Sequence, residues 1–134
     1  MGIVEGNLEK SEKWVDFIEK NDESEGFHTV TASKEENQGK KAVTTITPVE
    51  KRYISGKETT ICTFEIETGR THQIRSQCAL HGFPLLGDSA YGTSFSGDSS
   101  LPKRDFYLHA WKLEFPKGNP LNLPEILVCE PEFI

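Results

Sequence analysis

The 134-residue chain has few of the features that mark secreted, metal-binding or membrane proteins. Its three cysteines, Cys62, Cys78 and Cys129, are widely spaced and include no Cys-x-x-Cys pair, which argues against a disulfide framework. The four histidines and the cysteines show no metal-ligand spacing, so we expect no metal. No apolar run approaches membrane-spanning length, and the first residues lack a secretory signal. We therefore expect one cytoplasmic domain with reduced thiols and no membrane contact.

Negative charge is concentrated in one part of the chain. The formal net charge is −6 at pH 7. Residues 1–37 contain four lysines and ten carboxylates, whereas the rest of the chain contains eleven residues of each sign. This balance disfavours strong nonspecific binding of nucleic acid, although a few arginines can still contact phosphate locally.

The acidic segment, residues 1–37, is predicted to form a helix, a turn and a strand. Trp14, Phe17 and Ile18 fall at positions i, i+3 and i+4, which predicts a short amphipathic helix within residues 7–21. A charged turn at 21–26 and a short β-branched strand at 27–31 follow. Residues 38–134 then form the part of the domain that carries the recognisable motifs.

Two strands at 42–53 and 59–68, joined by a turn, are predicted to form an antiparallel hairpin. Pro48 lies inside the first strand and therefore predicts an edge position or a bulge. A helix at 71–81 follows, and Gly82 is predicted to end it.

The rest of the chain is predicted to add a short buried segment at Leu85-Leu86, a loop at 92–104, a strand at 106–115 and an edge strand near 126–129. Hairpins predominate over strand–helix–strand units. We therefore predict an α+β fold with a mixed, mostly antiparallel sheet and two short helices.

Residues 69–75, Gly-Arg-Thr-His-Gln-Ile-Arg, form the most informative stretch. They lie at a predicted helix start, where unpaired N–H groups and the helix dipole favour an anion. Thr68 or Thr71 is a candidate cap. Arg70 and Arg75 supply cations that can bind a carboxylate or phosphate through two N–H groups. An anionic partner is the expectation, and a surface helix start with unrelated charges is the alternative.

This stretch, followed by residues 81–88 (His-Gly-Phe-Pro-Leu-Leu-Gly-Asp) and by Tyr91-Gly92, closely resembles the third sequence motif of the RluA-type pseudouridine synthases. Ala42-Val43-Thr44 and Leu108-His109-Ala110-Trp111 resemble strands that flank the motif in that family. The matching residues occur in the same order as in the family, from about residue 40 to the C-terminus. It implies the C-terminal half of the pseudouridine synthase catalytic fold.

The resemblance implies that the protein isomerises uridine to pseudouridine in structured RNA (rRNA or tRNA), with neither a metal nor a cofactor. It implies that Arg75 pairs with the catalytic aspartate. The residues expected to support the site or face RNA are Arg70, Thr71, His72 and Gln73. The structural positions of the motif are Gly69, Gly87, Asp88, Tyr91 and Gly92. Asp88 is interpreted as a turn element rather than as the nucleophile.

The chain departs from the family pattern in two respects. It has no His-Arg-Leu-Asp sequence, which carries the catalytic aspartate in the family, and it lacks the Lys-x-Tyr strand that carries the base-stacking tyrosine. Residues 3–6, Ile-Val-Glu-Gly, resemble the end of that strand. We therefore expect a partial catalytic domain without turnover of its own. An exposed strand edge and apolar face would favour self-association or pairing with a missing N-terminal half.

Two other functions fit parts of the pattern. A noncatalytic RNA-binding or regulatory module derived from the same fold would bind RNA in a salt-dependent way without isomerising it. A small phosphate-ester enzyme would use the anion-binding turn, but the sequence offers no plausible pair of nucleophile and base for it.

Overall fold

The structure is a computed structural model that describes residues 1–21, 29–36, 38–92, 107–109, 112–114 and 126–128. Its elements in chain order are β1 (Gly2–Glu5), β2 (Glu12–Lys20), β3 (Val30–Ser33), β4 (Lys40–Ile54), β5 (Lys57–Ile66), α1 (Gln73–Leu80), β6 (Lys112–Glu114) and β7 (Ile126–Val128).

Five of these strands form one sheet in the order β1-β5-β4-β2-β3, and β6 pairs with β7. Every strand pair among the described residues is antiparallel, and α1 packs against β2 and β3. The predicted α+β class is therefore confirmed, with one helix instead of two in the described part of the chain. That helix has eight residues, and none of the described residues belongs to a helix long and apolar enough to cross a bilayer.

The predicted first helix is wrong, because strand β2 occupies its position. Trp14, Asp16 and Ile18 are buried while the residues between them are exposed or half-buried, which is the two-residue period of a strand. The same apolar residues also satisfy helical spacing, so the local pattern is ambiguous. Pairing with β4 on one side and β3 on the other settles it, since both sides of β2 then make backbone hydrogen bonds. These pairings also place β2 and β3, which lie in the acidic segment, in the same sheet as β4 and β5.

The predicted hairpin is confirmed as β4 and β5. Ser55 and Gly56 connect the strands with φ angles of 50° and 77°, as a two-residue hairpin turn with two positive φ angles requires. The pairing register shifts between Pro48 and Glu50, so the proline marks a bulge. The edge alternative is wrong, because β4 lies between β5 and β2.

Strand β1 has neighbours on both sides. One neighbour is β5. On the other side, β1 meets the segment at Leu85-Leu86, where the Leu86 N–H donates to the Ile3 carbonyl at 2.9 Å. The Ile3 N–H in turn donates to the Tyr107 carbonyl at 3.0 Å. The edge beside β1 that was expected to be open is therefore covered by other parts of the same chain. Strand β3 is the remaining edge strand of the five-stranded sheet.

Three apolar clusters among the described residues hold these elements together. The largest joins the sheet to α1 and consists of Val4, Leu8, Trp14, Ile46, Cys62, Cys78 and Leu85. The second contains Ile3, Ile54, Ile61, Leu86 and Tyr107. The third contains Ile18, Val30 and Ala42. Leu85 and Leu86 are fully buried in different clusters, which confirms the predicted buried segment and places the motif turn firmly against β1.

The other predicted elements are confirmed in part. Helix α1 starts two residues later than predicted, and Gly82 follows its end with φ 84°, as expected for a helix-terminating glycine. Residues 22–26 of the predicted turn and residues 27–28 of the predicted strand at 27–31 lie outside the described part, and β3 starts at Val30. Most of the predicted loop at 92–104 also lies outside it. Within the predicted strand at 106–115, Leu108 forms an isolated bridge with Gly2 and residues 112–114 form β6, whereas residues 106, 110, 111 and 115 lie outside the described part.

The motif glycine Gly92 is required by a close approach of two turns. An added Cβ at this position would lie 2.3 Å from the Cβ of Pro84, whose ring cannot rotate away. We predict that Gly92→Ala lowers the free energy of unfolding by about 1–3 kcal/mol, measured by urea denaturation. At Gly69 an added Cβ meets nothing within 4 Å, so the control Gly69→Ala should change stability by less than about 1 kcal/mol. Equal losses in the two variants would contradict this packing account.

Candidate active site

The turn before α1 is tied to strand β4 by the side chain of Gln73. This amide is buried, with 4% of the residue exposed. Its Oε1 accepts hydrogen bonds from Thr68 Oγ1 at 2.8 Å and from the Arg70 N–H at 3.0 Å. Its Nε2 donates to the Val43 carbonyl at 3.1 Å and to Thr44 Oγ1 at 2.8 Å. All four positions of the amide are used within the chain, which gives Gln73 a structural task, and its contact with RNA stays a prediction.

The N-terminus of α1 differs from the predicted capped start. His72 is the N-cap, with φ 49° and ψ 32°, and no side chain caps the helix by a hydrogen bond. Capping by Thr68 or Thr71 is therefore wrong. Thr68 Oγ1 instead accepts a hydrogen bond from the Val43 N–H and donates to Gln73. A left-handed conformation is uncommon for a residue with a Cβ and costs about 1–2 kcal/mol, so the surrounding contacts must maintain it.

Arg75 projects from the first turns of α1 onto the carboxylate of Asp88. Its Nε and Nη2 each donate to one Asp88 oxygen at 2.9 Å, which is the bidentate arrangement that fixes a guanidinium in its plane. The side chains are 18% and 1% exposed, respectively. The sequence predicted that Arg75 meets an aspartate outside this chain. The structure shows that it already has an aspartate partner within its own motif, and its role toward a second carboxylate stays a prediction.

Asp88 reaches this position because residues 85–92 form consecutive turns. The Asp88 N–H donates to the Leu85 carbonyl at 3.0 Å, and the Gly92 N–H donates to the Asp88 carbonyl at 2.8 Å. Gly87 precedes it with φ 84°, a backbone conformation that glycine adopts readily. The backbone of Asp88 is thus a turn element, as interpreted from the sequence. Its buried carboxylate has the additional task of binding Arg75.

Tyr91 lies across the same arginine. The Arg75 Cζ atom is 5.1 Å from the centroid of the Tyr91 ring, within the range of a cation–π contact. The Tyr91 hydroxyl is 2.7 Å from Nδ1 of His72 and accepts a hydrogen bond from the Val30 N–H at 3.0 Å. The structure therefore brings together His72, Arg75, Asp88 and Tyr91, which are separate in the sequence motif.

The other residues of the motif lie near this group, and they differ in the contacts that hold them in place. Arg70 Nε donates to the Lys41 carbonyl at 2.9 Å, which places the arginine beside the start of β4. Thr71 is exposed. Gly69 has no positive φ and no close neighbour, so nothing in the structure requires a glycine there. Contact of Arg70, Thr71 and His72 with RNA stays a prediction.

A second polar network, at the C-terminal end of α1, was missed in the sequence. Asp16 is 1% exposed, and its Oδ2 accepts a hydrogen bond from Gln77 Nε2 at 2.8 Å and lies 2.8 Å from His81 Nε2. The His81 ring stacks on Trp14 with centroids 4.4 Å apart. Gln77 lies one helical turn after Gln73, and this i, i+4 pair of amides on one face of α1 was the available signal. The network fixes the far end of the helix that carries Arg75.

The two thiols in the described part of the chain, Cys62 and Cys78, are not suited to nucleophilic chemistry. Burial raises the pKa of Cys62 to about 12. Burial also raises the pKa of Cys78 well above its ordinary value, with smaller contributions from the negative charges of Cys62 and Asp88. Since the thiolate is the reactive form, both cysteines are structural.

Comparison with known proteins identifies the family that this chain resembles. The family model described as RNA pseudouridylate synthase matches residues 1–80. The ribosomal large subunit pseudouridine synthase D of Borreliella burgdorferi is 31% identical over 119 residues, which cover 88% of this chain and 33% of that protein. The RNA pseudouridylate synthase domain-containing protein 1 of Bos taurus is 30% identical over 120 residues, 87% of this chain and 38% of that protein.

A solved structure shows the same fold. The structure of human RNA Pseudouridylate Synthase Domain Containing 1 superposes with a TM-score of 0.74 and 29% sequence identity, over 98% of this chain and 52% of that chain. The chain therefore belongs to the RNA pseudouridylate synthase family, as the resemblance in the motif indicated. It spans about a third of the length of these curated relatives and about half of the solved chain.

The Arg75–Asp88 pair should contribute measurably to stability. Asp88→Asn leaves a largely buried guanidinium without its countercharge, so we predict a loss of about 3 kcal/mol in the free energy of unfolding. The control is Glu50→Gln, which breaks the Arg52–Glu50 pair of the same 2.9 Å separation in a more exposed place, with an expected loss below about 1 kcal/mol. Both values come from urea denaturation. A similar small loss in the two variants would show that the buried pair is not important for stability.

Proposed function

We propose that this chain forms the arginine-bearing part of the active site of an RNA pseudouridine synthase that acts on rRNA or tRNA in the cytoplasm. The observation that carries the proposal is the buried, bidentate fixation of Arg75 by Asp88 in a chain of this family. A guanidinium held in this way is oriented before any substrate arrives. Orientation of this kind is the protein's main contribution when a reaction uses no cofactor.

The positive charge of Arg75 can act on a second carboxylate placed beside it. A catalytic aspartate next to the guanidinium would be kept ionised, because a nearby positive charge favours the charged form. We propose that residues outside this chain supply that aspartate. Asp88 is unsuitable as the nucleophile, since its carboxylate is buried and both oxygens are bound to Arg75.

The RNA is proposed to approach the turn that precedes α1. Arg70 and His72 lie on this turn, and exposed Thr71 lies between them. Arg70 is held beside β4 by the Lys41 carbonyl, so its charge has a defined position from which to meet a phosphate. Residues outside this chain would then place the target uridine over Arg75.

A noncatalytic RNA-binding or regulatory module is the second candidate. The observation that favours it is that the chain has no His-Arg-Leu-Asp sequence, while Arg75 already has a partner in Asp88. Such a module would bind structured RNA with a marked dependence on salt and would not isomerise uridine.

Release of tritium from uridine labelled at C5 tests the catalytic proposal, since joining C1′ to C5 displaces the hydrogen at C5. We expect no release by this chain alone and clear release by a polypeptide extended with the upstream coding sequence. In the extended protein, Arg75→Ala should lower kcat by about 10²–10³-fold. The matched control is Arg52→Ala, which removes an arginine of the hairpin and should leave kcat unchanged.

Three results would contradict parts of this proposal. Turnover by the chain alone would place the catalytic aspartate within it. A nearly normal kcat in Arg75→Ala would show that Arg75 has another task. Salt-dependent RNA binding by the extended protein without turnover would favour the noncatalytic module.

We also propose that the chain pairs with an N-terminal half or with a second copy of itself. The support is that it spans only part of its relatives and that Val15, Val49, Tyr53 and Ile66 are exposed. Sedimentation velocity should therefore show a concentration-dependent species larger than the monomer, or a complex when the upstream half is added. A compact monomer at all concentrations, with no binding of the added half, would contradict the proposal.

A further inference from the structure

We infer that His72 and Tyr91 form a positioning pair for Arg75, in which the Tyr91 hydroxyl donates a hydrogen bond to His72 Nδ1 and the tyrosine ring thereby restrains the face of the guanidinium. The inference concerns the geometry of this chain, and only its catalytic consequence rests on the proposed function. Neither residue is assigned direct contact with reacting atoms.

The inferred direction of the hydrogen bond takes account of both partners of the Tyr91 hydroxyl. This oxygen lies 2.7 Å from His72 Nδ1 and 3.0 Å from the Val30 backbone nitrogen. A tyrosine hydroxyl has one hydrogen to donate, and a backbone N–H can only donate. Val30 therefore occupies one acceptor position of the oxygen, and the inferred pair assigns the hydroxyl hydrogen to His72. Nδ1 is then the acceptor, and the imidazole proton resides on Nε2.

These two bonds fix the tyrosine between separate parts of the fold. Val30 begins the edge strand β3, and His72 is the N-cap of α1. The rings of His72 and Tyr91 also meet edge to face, with centroids 5.6 Å apart and an interplanar angle of 80°. Rotation of Tyr91 away from Arg75 would break both hydrogen bonds and the ring contact together.

The backbone of His72 supports a dedicated role for its side chain. It adopts φ 49°, which glycine and asparagine adopt at lower cost, and its side chain forms no capping hydrogen bond with the helix. The left-handed turn directs the imidazole toward residue 91, nineteen positions away in the sequence. The strained conformation is thus maintained together with a tertiary contact and not with the usual local cap.

Arg75 is consequently restrained in two directions. Asp88 binds the edge of the guanidinium through two hydrogen bonds, and the Tyr91 ring lies against its face at 5.1 Å. Asp88 alone would allow the guanidinium and carboxylate to tilt as a unit. The added restraint from Tyr91 fixes the plane of the guanidinium, and therefore the direction from which its positive charge can act on a second carboxylate.

Nuclear magnetic resonance of the isotopically labelled chain tests the pair without any RNA. We expect ¹⁵N shifts that identify an unprotonated Nδ1 and a protonated Nε2 in His72, and slow solvent exchange of the Arg75 Nε proton. Tyr91→Phe keeps the ring but removes the hydroxyl, and we expect the Nε proton to exchange roughly fivefold faster. His72→Asn tolerates the left-handed backbone and should have the same effect. Tyr53→Phe is the control, because Tyr53 is 70% exposed, and should change nothing.

The outcomes separate positioning from simple stabilisation. A proton on Nδ1 of His72 in the unmodified chain would overturn the proposed hydrogen bond. Unchanged exchange of the Arg75 Nε proton in both variants, with or without a shift in the urea midpoint, would overturn the positioning role. In the extended protein, Tyr91→Phe should lower kcat with little change in KM. If that protein has no synthase activity, the proposed function fails while the magnetic resonance result still decides the inference.

Discussion

The bidentate ion pair between Arg75 and Asp88 is the constraint around which the site is arranged. A carboxylate that is 1% exposed is stable only with a countercharge and hydrogen bonds, and Arg75 supplies both. Because one partner lies on α1 and the other in the turns that follow, the pair determines how closely these elements approach. The glycines at 87 and 92 allow the turns to make that approach, and Leu85-Leu86 anchors them to β1. A change in any of these parts would alter the direction of the guanidinium.

Helix α1 depends on its tertiary contacts. Eight residues are too few for a helix to persist alone in water, and its start has no side-chain cap. Gln73 and Gln77 compensate by donating to carbonyl groups of β4 and to Asp16 of β2, while Cys78 lies in the apolar cluster beneath. The glutamines are buried without penalty because their amides find partners. The helix is therefore a support for Arg75 whose rigidity comes from the sheet.

Family membership and the geometry of the site lead to complementary conclusions. Membership indicates that the family's chemistry is uridine isomerisation, and the site shows which groups this chain holds in place. It holds an arginine, a supporting carboxylate and an aromatic ring together. A site of this composition can orient and stabilise charge. The proposed function assigns the nucleophile to residues outside this chain.

Local sequence patterns determined much of the fold. The β4–β5 hairpin, the bulge at Pro48, the end of α1 at Gly82 and the buried Leu85-Leu86 all follow from turn chemistry, backbone restriction or short apolar runs. The family motif likewise indicated Arg75 as a candidate site residue, because order and spacing are properties of the sequence. Each of these features depends on neighbours within a few residues. Because these features are local, they could be predicted from the sequence.

Only the tertiary structure decided the remaining features. Trp14, Phe17 and Ile18 fit both a helix and a strand, and pairing with β4 selected the strand. Asp88 became the partner of Arg75, thirteen residues away, and Tyr91 became the partner of His72 because folding brought these groups together. Gln73 had the composition of a ligand-binding residue, but burial against β4 used all its hydrogen bonds. Side-chain partnership over such separations depends on the path of the whole chain, which no local pattern contains.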